Sequence, residues 1–251
     1  MDNKKLILGI GGKKNSGKDT LSEMINYILS VGINVAKYTD WIEFRERYKL
    51  TYAKDNVIHF ADILKDNLAN IFQISRTCFD LREFKDELWY DIRNRIFLND
   101  NELVVEHEKI YMNSLKNFSD MYNILTKTTF APVIKLRTLM QHYAQLMKAI
   151  YGEDIWIRST INNAIDKAGI YGYSIIADVR FKNESRAIRQ ISPSTGRLIL
   201  IERESLEDND KHCSEECNFD YDYKIENNRT LMKMFYEIQA ILYNILTNEI
   251  N

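Results

Sequence analysis

The chain has 251 residues, of which 45% are hydrophobic and 28% are charged, and its formal net charge at pH 7 is −2. This length and apolar fraction suffice for one domain of ample size, with room for an inserted subdomain. The balanced charge gives no global basic field that would favour a nucleic acid polymer, and no apolar run approaches the roughly 20 residues that a membrane span requires. Three cysteines are too few for a disulfide framework, so we expect a reduced, cytoplasmic protein.

The first predicted elements are a buried strand, a glycine-containing loop and a helix. The apolar run LIL at residues 6–8 leads into the stretch GKKNSGKDT at residues 12–20. Apolar residues at helical spacing follow, and Gly32 is a suitable C-terminal stop. A Gly, four residues and then Gly-Lys, placed between a strand and a helix, predict a phosphate-binding loop.

The composition of this loop suits the phosphates of a nucleotide. Gly12 and Gly17 allow backbone N–H groups to point inward and a phosphate to approach closely. The helix N-terminus adds its dipole, and Lys18 places a charge between the β- and γ-phosphates. An ordinary glycine turn before a helix is the structural alternative. The residues that we expect to bind ATP are Gly12, Asn15, Ser16, Gly17, Lys18, Asp19 and Thr20.

Asp19 occupies the position where many nucleotide-binding loops carry a serine or threonine that binds Mg²⁺. Its carboxylate either holds Mg²⁺ through water or contacts the acceptor phosphate indirectly. The alternative is an acidic residue that stabilises the first helical turn. The candidate metal ligands are therefore Asp19 and the neighbouring Thr20.

The next elements are a strand over residues 34–39, a helix or capped loop over 40–50, and a strand over 57–60. Asp62 is placed to cap the helix that follows. This puts Lys65 close to the end of a strand, where open α/β sheets bind ligands, although a solvated helix residue is the alternative.

Residues 76–130 are polar and irregular, and they are predicted to form a helical insertion or subdomain, with a helix over 82–97. The stretch 134–152 follows as an amphipathic helix. Lys135 and Arg137 lie at its start, either as a solvated helix end or as a clamp on a moving phosphoryl group.

Another helix is predicted over 154–169, with Trp156 near its start as either a core residue or a ligand platform. A buried strand is predicted over residues 173–177, Asp178 and Arg180 emerge at its end, and Glu184 lies on the next helix. The carboxyl end of a parallel strand is where a phosphate-loop fold places a carboxylate for Mg²⁺ or substrate. A local ion pair between Asp178 and Arg180 is the structural alternative.

The remaining predicted elements are a strand over 196–204, a short edge strand over 222–227 and an amphipathic helix over 229–246. Together these elements predict a single α/β domain over residues 1–251. Its architecture is the three-layer phosphate-loop NTPase fold, with a parallel sheet of about five strands flanked by helices.

Several stretches occur in a recognisable order: GKKNSGKDT, FADILKD, LRTLMQHYAQLM…YGEDIWIR, IIADVRFKNE, IERE and HCSEE…DYDYKIENNRTL. With them, the chain resembles the deoxynucleoside monophosphate kinases of bacteriophages and related viruses, within the phosphate-loop nucleoside monophosphate kinase group. The similarity is clearest over 5–75 and 133–246. The resemblance implies transfer of the ATP γ-phosphate to a deoxynucleoside 5′-monophosphate, with Mg²⁺, in a host cytoplasm.

The resemblance also implies roles for individual residues. Catalysis falls to Lys18, Lys135, Arg137 and Asp178. From the resemblance together with the strand-end position, we expect the acceptor to be bound by Lys65, Trp156, Asp178, Arg180 and Glu184. The similar phage enzymes suggest a homodimer whose partners are small nucleotides. Two alternatives stay open: another phosphate-loop kinase, of the dephospho-CoA or phosphomevalonate type, and an ATP-binding module without turnover.

Overall fold

The computed structural model describes residues 5–47, 56–92, 96–98, 103–106, 133–191, 196–203 and 219–247. The chain divides into two compact units. The first takes Met1–Phe60 and Ile157–Asn251, and the second takes Ala61–Trp156. The two are described separately below.

The strands in chain order are β1 (Leu6–Gly11), β2 (Val57–Ile58), β3 (Trp89–Asp91), β4 (Ile96–Leu98), β5 (Leu103–Glu106), β6 (Val133–Ile134), β7 (Tyr173–Val179), β8 (Gly196–Glu202) and β9 (Tyr223–Glu226). The α-helices are α1 (Lys18–Val31), α2 (Tyr38–Arg47), α3 (Asp62–Phe72), α4 (Leu136–Tyr151), α5 (Ile155–Tyr171), α6 (Lys182–Ile191) and α7 (Leu231–Thr247). A 3₁₀ turn spans Arg76–Phe79 and a π-helical turn spans Glu83–Glu87.

The first unit is built on a five-stranded sheet in the order β2-β7-β1-β8-β9. Every neighbouring pair in it is parallel. β1 is central and buried along its whole length, which explains its continuous apolar run, because both faces of a parallel sheet are covered. The predicted α/β fold with about five parallel strands is confirmed.

Side chains of β1 alternate between two hydrophobic clusters, one on each face of this sheet. Leu8 and Ile10 pack in a cluster with the buried faces of α1 and α7. Ile7 packs on the opposite face, in a cluster with α5 and α6. Helices, sheet and helices therefore form three layers, and the period of two along the strand decides which residue faces which layer.

The second unit contains an antiparallel sheet in the order β5-β4-β3-β6. Tyr90 and Phe97 are opposite each other in its register and are both fully buried, with ring centroids 4.9 Å apart. They pack with apolar side chains of α3 and α4 in a core of their own. That core is what makes residues 61–156 a compact unit.

Two predicted elements are wrong. Residues 34–39 do not form a strand: Ala36 donates a turn hydrogen bond to Gly32, and α2 already begins at Tyr38. The helix predicted over 82–97 is replaced by the π-helical turn and by β3 and β4. Aromatic residues in this stretch favour a pleated, buried surface, and cross-strand packing overrides the local helical tendency.

The helix prediction after β2 holds in a modified form, because Asp62 is the first residue of α3 rather than its cap. The predicted insertion at 76–130 lies within the second unit, and its residues 93–95, 99–102 and 107–130 lie outside the described residues. No helix in the described part of the chain is both long enough and apolar enough to span a membrane.

Candidate active site

The loop between β1 and α1 has the backbone conformation of a phosphate cradle. Asn15 has φ 63° and Gly17 has φ 102°, both in the left-handed region. Backbone N–H groups in turns that include left-handed residues form concavities that bind anions. The loop leads into the N-terminus of α1, where the helix dipole favours an anion.

Two glycines of the loop are required by their surroundings. A Cβ at Gly12 would lie 2.4 Å from the carbonyl oxygen of Ile201. At Gly17 a Cβ would lie 2.5 Å from Nδ2 of Asn227 and would carry an unfavourable positive φ. A larger residue therefore displaces the backbone of β8 at position 12 and the Asn227 side chain at position 17.

Lys18 is the first residue of α1, and its ammonium group lies at the loop itself. Its Nζ donates to the carbonyl oxygen of Gly12 at 2.6 Å and to that of Lys13 at 2.7 Å. A phosphate-loop lysine is needed at this place, because it must reach the outer phosphates of a bound triphosphate.

A cavity of about 780 Å³ opens beside the loop, a size typical of small-molecule sites. It is lined by Asn15, Gly17, Lys18, Asp19, Thr20, Arg203, Asn227, Asn228, Arg229 and Leu231. Five of the seven predicted ATP-binding residues are among them. Arg203 follows β8, and residues 227–229 follow β9, so the cavity lies at the carboxyl ends of the parallel strands.

Asp19 points into solvent, with a side chain that is 80% exposed. Its Oδ1 lies 3.8 Å from Nε2 of His59, which follows β2. At this exposure the contact contributes little stability. The carboxylate is therefore available to a cation or to its bound water.

Asp178 lies near the carboxyl end of β7, as predicted. Its Oδ1 accepts the backbone N–H of Phe60 at 3.1 Å. Because Phe60 follows His59, one short segment after β2 contacts both Asp19 and Asp178. The two acidic residues therefore belong to the same edge of the sheet.

Glu184 is buried at the start of α6, where its Oε2 accepts the backbone N–H groups of Arg180 at 2.7 Å and Phe181 at 2.9 Å. This is the returning half of a capping box. Burial is the largest cause that raises the pKa of Glu184, to about 7, and the negative charge of Asp178 raises it further. Glu184 therefore fixes the backbone conformation of Arg180 and Phe181, between β7 and α6.

In the second unit, Lys135 and Arg137 meet on one acidic residue. Arg137 makes two hydrogen bonds to the carboxylate of Asp86. Its Nε donates to Oδ1, and its Nη2 donates to Oδ2 at 2.9 Å. Lys135 donates from Nζ to the carbonyl oxygen of Asp86 at 3.0 Å and lies 5.2 Å from the ring centroid of Trp89. The hydrogen bond from Arg137 is the main cause that lowers the pKa of Asp86. Asp86 therefore holds both predicted cations together.

Lys65 belongs to a second charged group of the same unit. Its Nζ donates to Oδ1 of Asp80 at 2.8 Å, and Arg76 pairs with Asp80 as well as with Asp62 at 2.8 Å. Burial, followed by the charge of Arg137, lowers the pKa of Lys85, and the charge of Lys65 lowers it further. The predicted cations of this unit thus form one electrostatic neighbourhood.

Trp156 packs as a core residue rather than standing free. Its ring lies 5.9 Å from that of Tyr143, and its Nε1 donates to the carbonyl oxygen of Ala144 at 3.4 Å. It is partly buried against the core of the second unit.

The sequence prediction missed the cavity residues Arg203, Asn227, Asn228 and Arg229, and it missed Asp86. The strand-end rule that singled out Asp178 applies equally to the residues after β8 and β9. Asp86 carried no such signal, because its stretch was predicted as a plain helix.

A comparison with known protein families matches most of the chain. Residues 5–238 match the family described as deoxynucleotide monophosphate kinase. Among curated proteins, none matches the chain.

Proposed function

Since the chain belongs to the deoxynucleotide monophosphate kinase family, we propose how its residues perform the phosphoryl transfer of a nucleotide monophosphate kinase. ATP is the donor in this proposal, and a deoxynucleoside 5′-monophosphate is the acceptor. An oxygen of the acceptor's phosphate attacks the γ-phosphorus, and the bond to the β,γ-bridging oxygen breaks. The products are ADP and the deoxynucleoside diphosphate.

In this proposal the loop of residues 12–17 and Lys18 bind the donor phosphates. The observation that carries it is the cavity at the carboxyl end of the sheet, which combines a left-handed loop, a helix N-terminus and the Lys18 ammonium group. Such a site binds and orients a polyphosphate without covalent chemistry, which is what phosphoryl transfer requires.

We assign Mg²⁺ to the oxygen ligands of Asp19 and Thr20. The donor set fits, because Mg²⁺ usually takes one or two protein oxygens together with phosphate oxygens and water. The exposed carboxylate of Asp19 and the hydroxyl of Thr20 both line the donor cavity. When bound, the cation neutralises charge that develops on the phosphates.

We propose that Asp178, Arg180 and Glu184 bind the acceptor, and that Lys65 and Trp156 also take part in acceptor binding. Support comes from the position of Asp178 at the carboxyl end of β7 and from the capping contact that orients Arg180. In this proposal Trp156 contributes its aromatic ring, and Lys65 its positive charge, to binding of the acceptor.

Lys135 and Arg137 are proposed to stabilise charge on the transferring phosphoryl group. The planar guanidinium of Arg137 already binds a carboxylate with two parallel hydrogen bonds, and the same fork fits a phosphoryl group. Asp86 supplies the carboxylate in that fork.

The test is coupled ADP production from ATP and Mg²⁺ with each deoxy- and ribonucleoside monophosphate in turn. Mevalonate phosphate and dephospho-CoA serve as controls for the other phosphate-loop kinases. We expect turnover with at least one deoxynucleoside monophosphate and loss of turnover in Lys18→Ala, with cooperative thermal unfolding retained. Turnover by Lys18→Ala at the wild-type rate would remove the phosphate-binding loop from the reaction.

The resemblance to phage enzymes supports three further parts of the proposal. The chain acts in a host cytoplasm, it forms a homodimer, and its partners are small nucleotides rather than nucleic acid polymers. The near-neutral net charge of −2 is in keeping with the last part.

A further inference from the structure

We infer that Asn227 is a positioning residue of the donor site, which aims the Gly17 N–H at the bound phosphates by holding the Ser16–Gly17 peptide. This inference rests on the proposed role of the loop in binding donor phosphates. It assigns a function to the first residue after β9, far from the loop in sequence.

The backbone of Asn227 is fixed by the sheet. β9 pairs with β8 in parallel register up to Glu202 and Glu226. One residue later, the N–H of Asn227 donates to the carbonyl oxygen of Glu202 at 2.7 Å. The side chain of Asn227 therefore starts from a rigid strand end rather than from an unattached loop.

The side chain of Asn227 holds the loop at one atom. Its Nδ2 donates to the carbonyl oxygen of Ser16 at 2.8 Å. The peptide that joins Ser16 to Gly17 is planar and trans, so its C=O and N–H point in opposite directions. A hydrogen bond that fixes the Ser16 oxygen on one side therefore fixes the Gly17 N–H toward the other side.

The loop needs such an external hold because glycine leaves this peptide easy to rotate. Gly17 has φ 102° and has no Cβ to restrict it. The Ser16 side chain is buried, and its Oγ has no hydrogen-bond partner within the described residues. The Ser16 side chain therefore does not anchor the peptide in place of Asn227.

The hydrogen bond from Asn227 to Ser16 also explains why the Asn227 amide lies close to Gly17. Nδ2 of Asn227 lies 2.5 Å from where a Gly17 Cβ would be. A side chain on Gly17 would push the amide away from the Ser16 oxygen. Gly17 and Asn227 are thus a matched pair, the first giving space and the second giving orientation.

The experiment measures the binding of tripolyphosphate and of ATP by calorimetry, without acceptor, for wild type, Asn227→Asp and Asn227→Ala. A carboxylate has the shape of the amide but cannot donate to the Ser16 oxygen. Alanine removes the donor without adding charge. The matched control is Gln239→Ala, because the Gln239 amide also donates to backbone carbonyl oxygens, those of Ile33 and Ala36, in the same unit.

We expect Asn227→Ala to weaken both ligands by about tenfold, the value of one well-placed hydrogen bond, and Asn227→Asp to weaken them more. Gln239→Ala should lose thermal stability but keep both affinities within twofold. Kinetic assays should show a raised KM for ATP and an unchanged KM for the acceptor.

The inference is overturned if Asn227→Ala binds tripolyphosphate within twofold of wild type, whatever its thermal stability. It is also overturned if ATP binding weakens while tripolyphosphate binding does not, because Asn227 would then contact the nucleoside. Wild-type protein that binds neither ligand would refute the proposed function first and this inference with it.

Discussion

Replacing Glu184 with glutamine tests the buried capping carboxyl at the start of α6. The side chain keeps its shape and an oxygen that accepts the N–H groups of Arg180 and Phe181, which lie 2.7 and 2.9 Å from Oε2 in the wild type. The substitution removes the ability to ionise. The stability difference between the two proteins should therefore depend on pH.

The magnitude follows from the pKa. Burial raises the pKa of Glu184 from its ordinary 4.5 to about 7. Between these values the folded protein binds a proton that the unfolded chain has released, so the free energy of unfolding falls as pH rises. At 1.36 kcal/mol for each pH unit, this contribution falls by about 3 kcal/mol between pH 4.5 and pH 7.

The measurement is denaturant unfolding of wild type and Glu184→Gln at several pH values from 4 to 8.5. The variant should gain about 3 kcal/mol relative to wild type across this range, since other titrating groups cancel in the difference. Glu153→Gln is the control, because the Glu153 side chain is 83% exposed. A difference for Glu184→Gln that stays constant with pH would refute the argument that burial keeps this carboxyl protonated near neutrality.

Two further predictions concern the reaction. Arg137→Ala should lower kcat by ~10³-fold if Arg137 stabilises the transferring phosphoryl group. The control is Arg45→Ala, which removes an ion pair with Glu23 in the other unit. A loss of kcat within twofold would mean that Arg137 serves only as the ion-pair partner of Asp86. Asp178→Asn should raise the acceptor KM by about tenfold or more, because a charge-assisted hydrogen bond is lost, and it should lower the pKa of Glu184, which the charge of Asp178 raises. Unchanged acceptor kinetics would remove Asp178 from the acceptor site.

Local patterns predicted the central parts of the fold correctly. β1, the loop and α1 are adjacent in sequence, so glycine spacing and apolar periodicity describe them completely. The predicted helix over 134–152 is observed as α4, although Ile134 belongs to β6, and the predicted strand over 173–177 is observed as β7, which extends to Val179. Each of these depends on the residues within the element itself.

The stretch 82–97 shows where local patterns fail. Its polar and aromatic composition is compatible with a helix, but the burial of Tyr90 against Phe97 requires two paired strands. Whether two such strands pair depends on the hydrophobic core that their side chains form with residues elsewhere in the chain. Intrinsic secondary-structure propensity is a weak guide where this packing determines the structure.

The sequence by itself predicted the loop between β1 and α1, the strand and helix that flank this loop, and the acidic residue near the end of β7. Only the tertiary structure decided which distant residues contact one another. Asn227 reaches Ser16 across 211 positions and Arg137 reaches Asp86 across 51. Such contacts arise because strands that are far apart in the chain lie in the same sheet. The apolar periodicity of one segment carries no information about which distant segment it contacts.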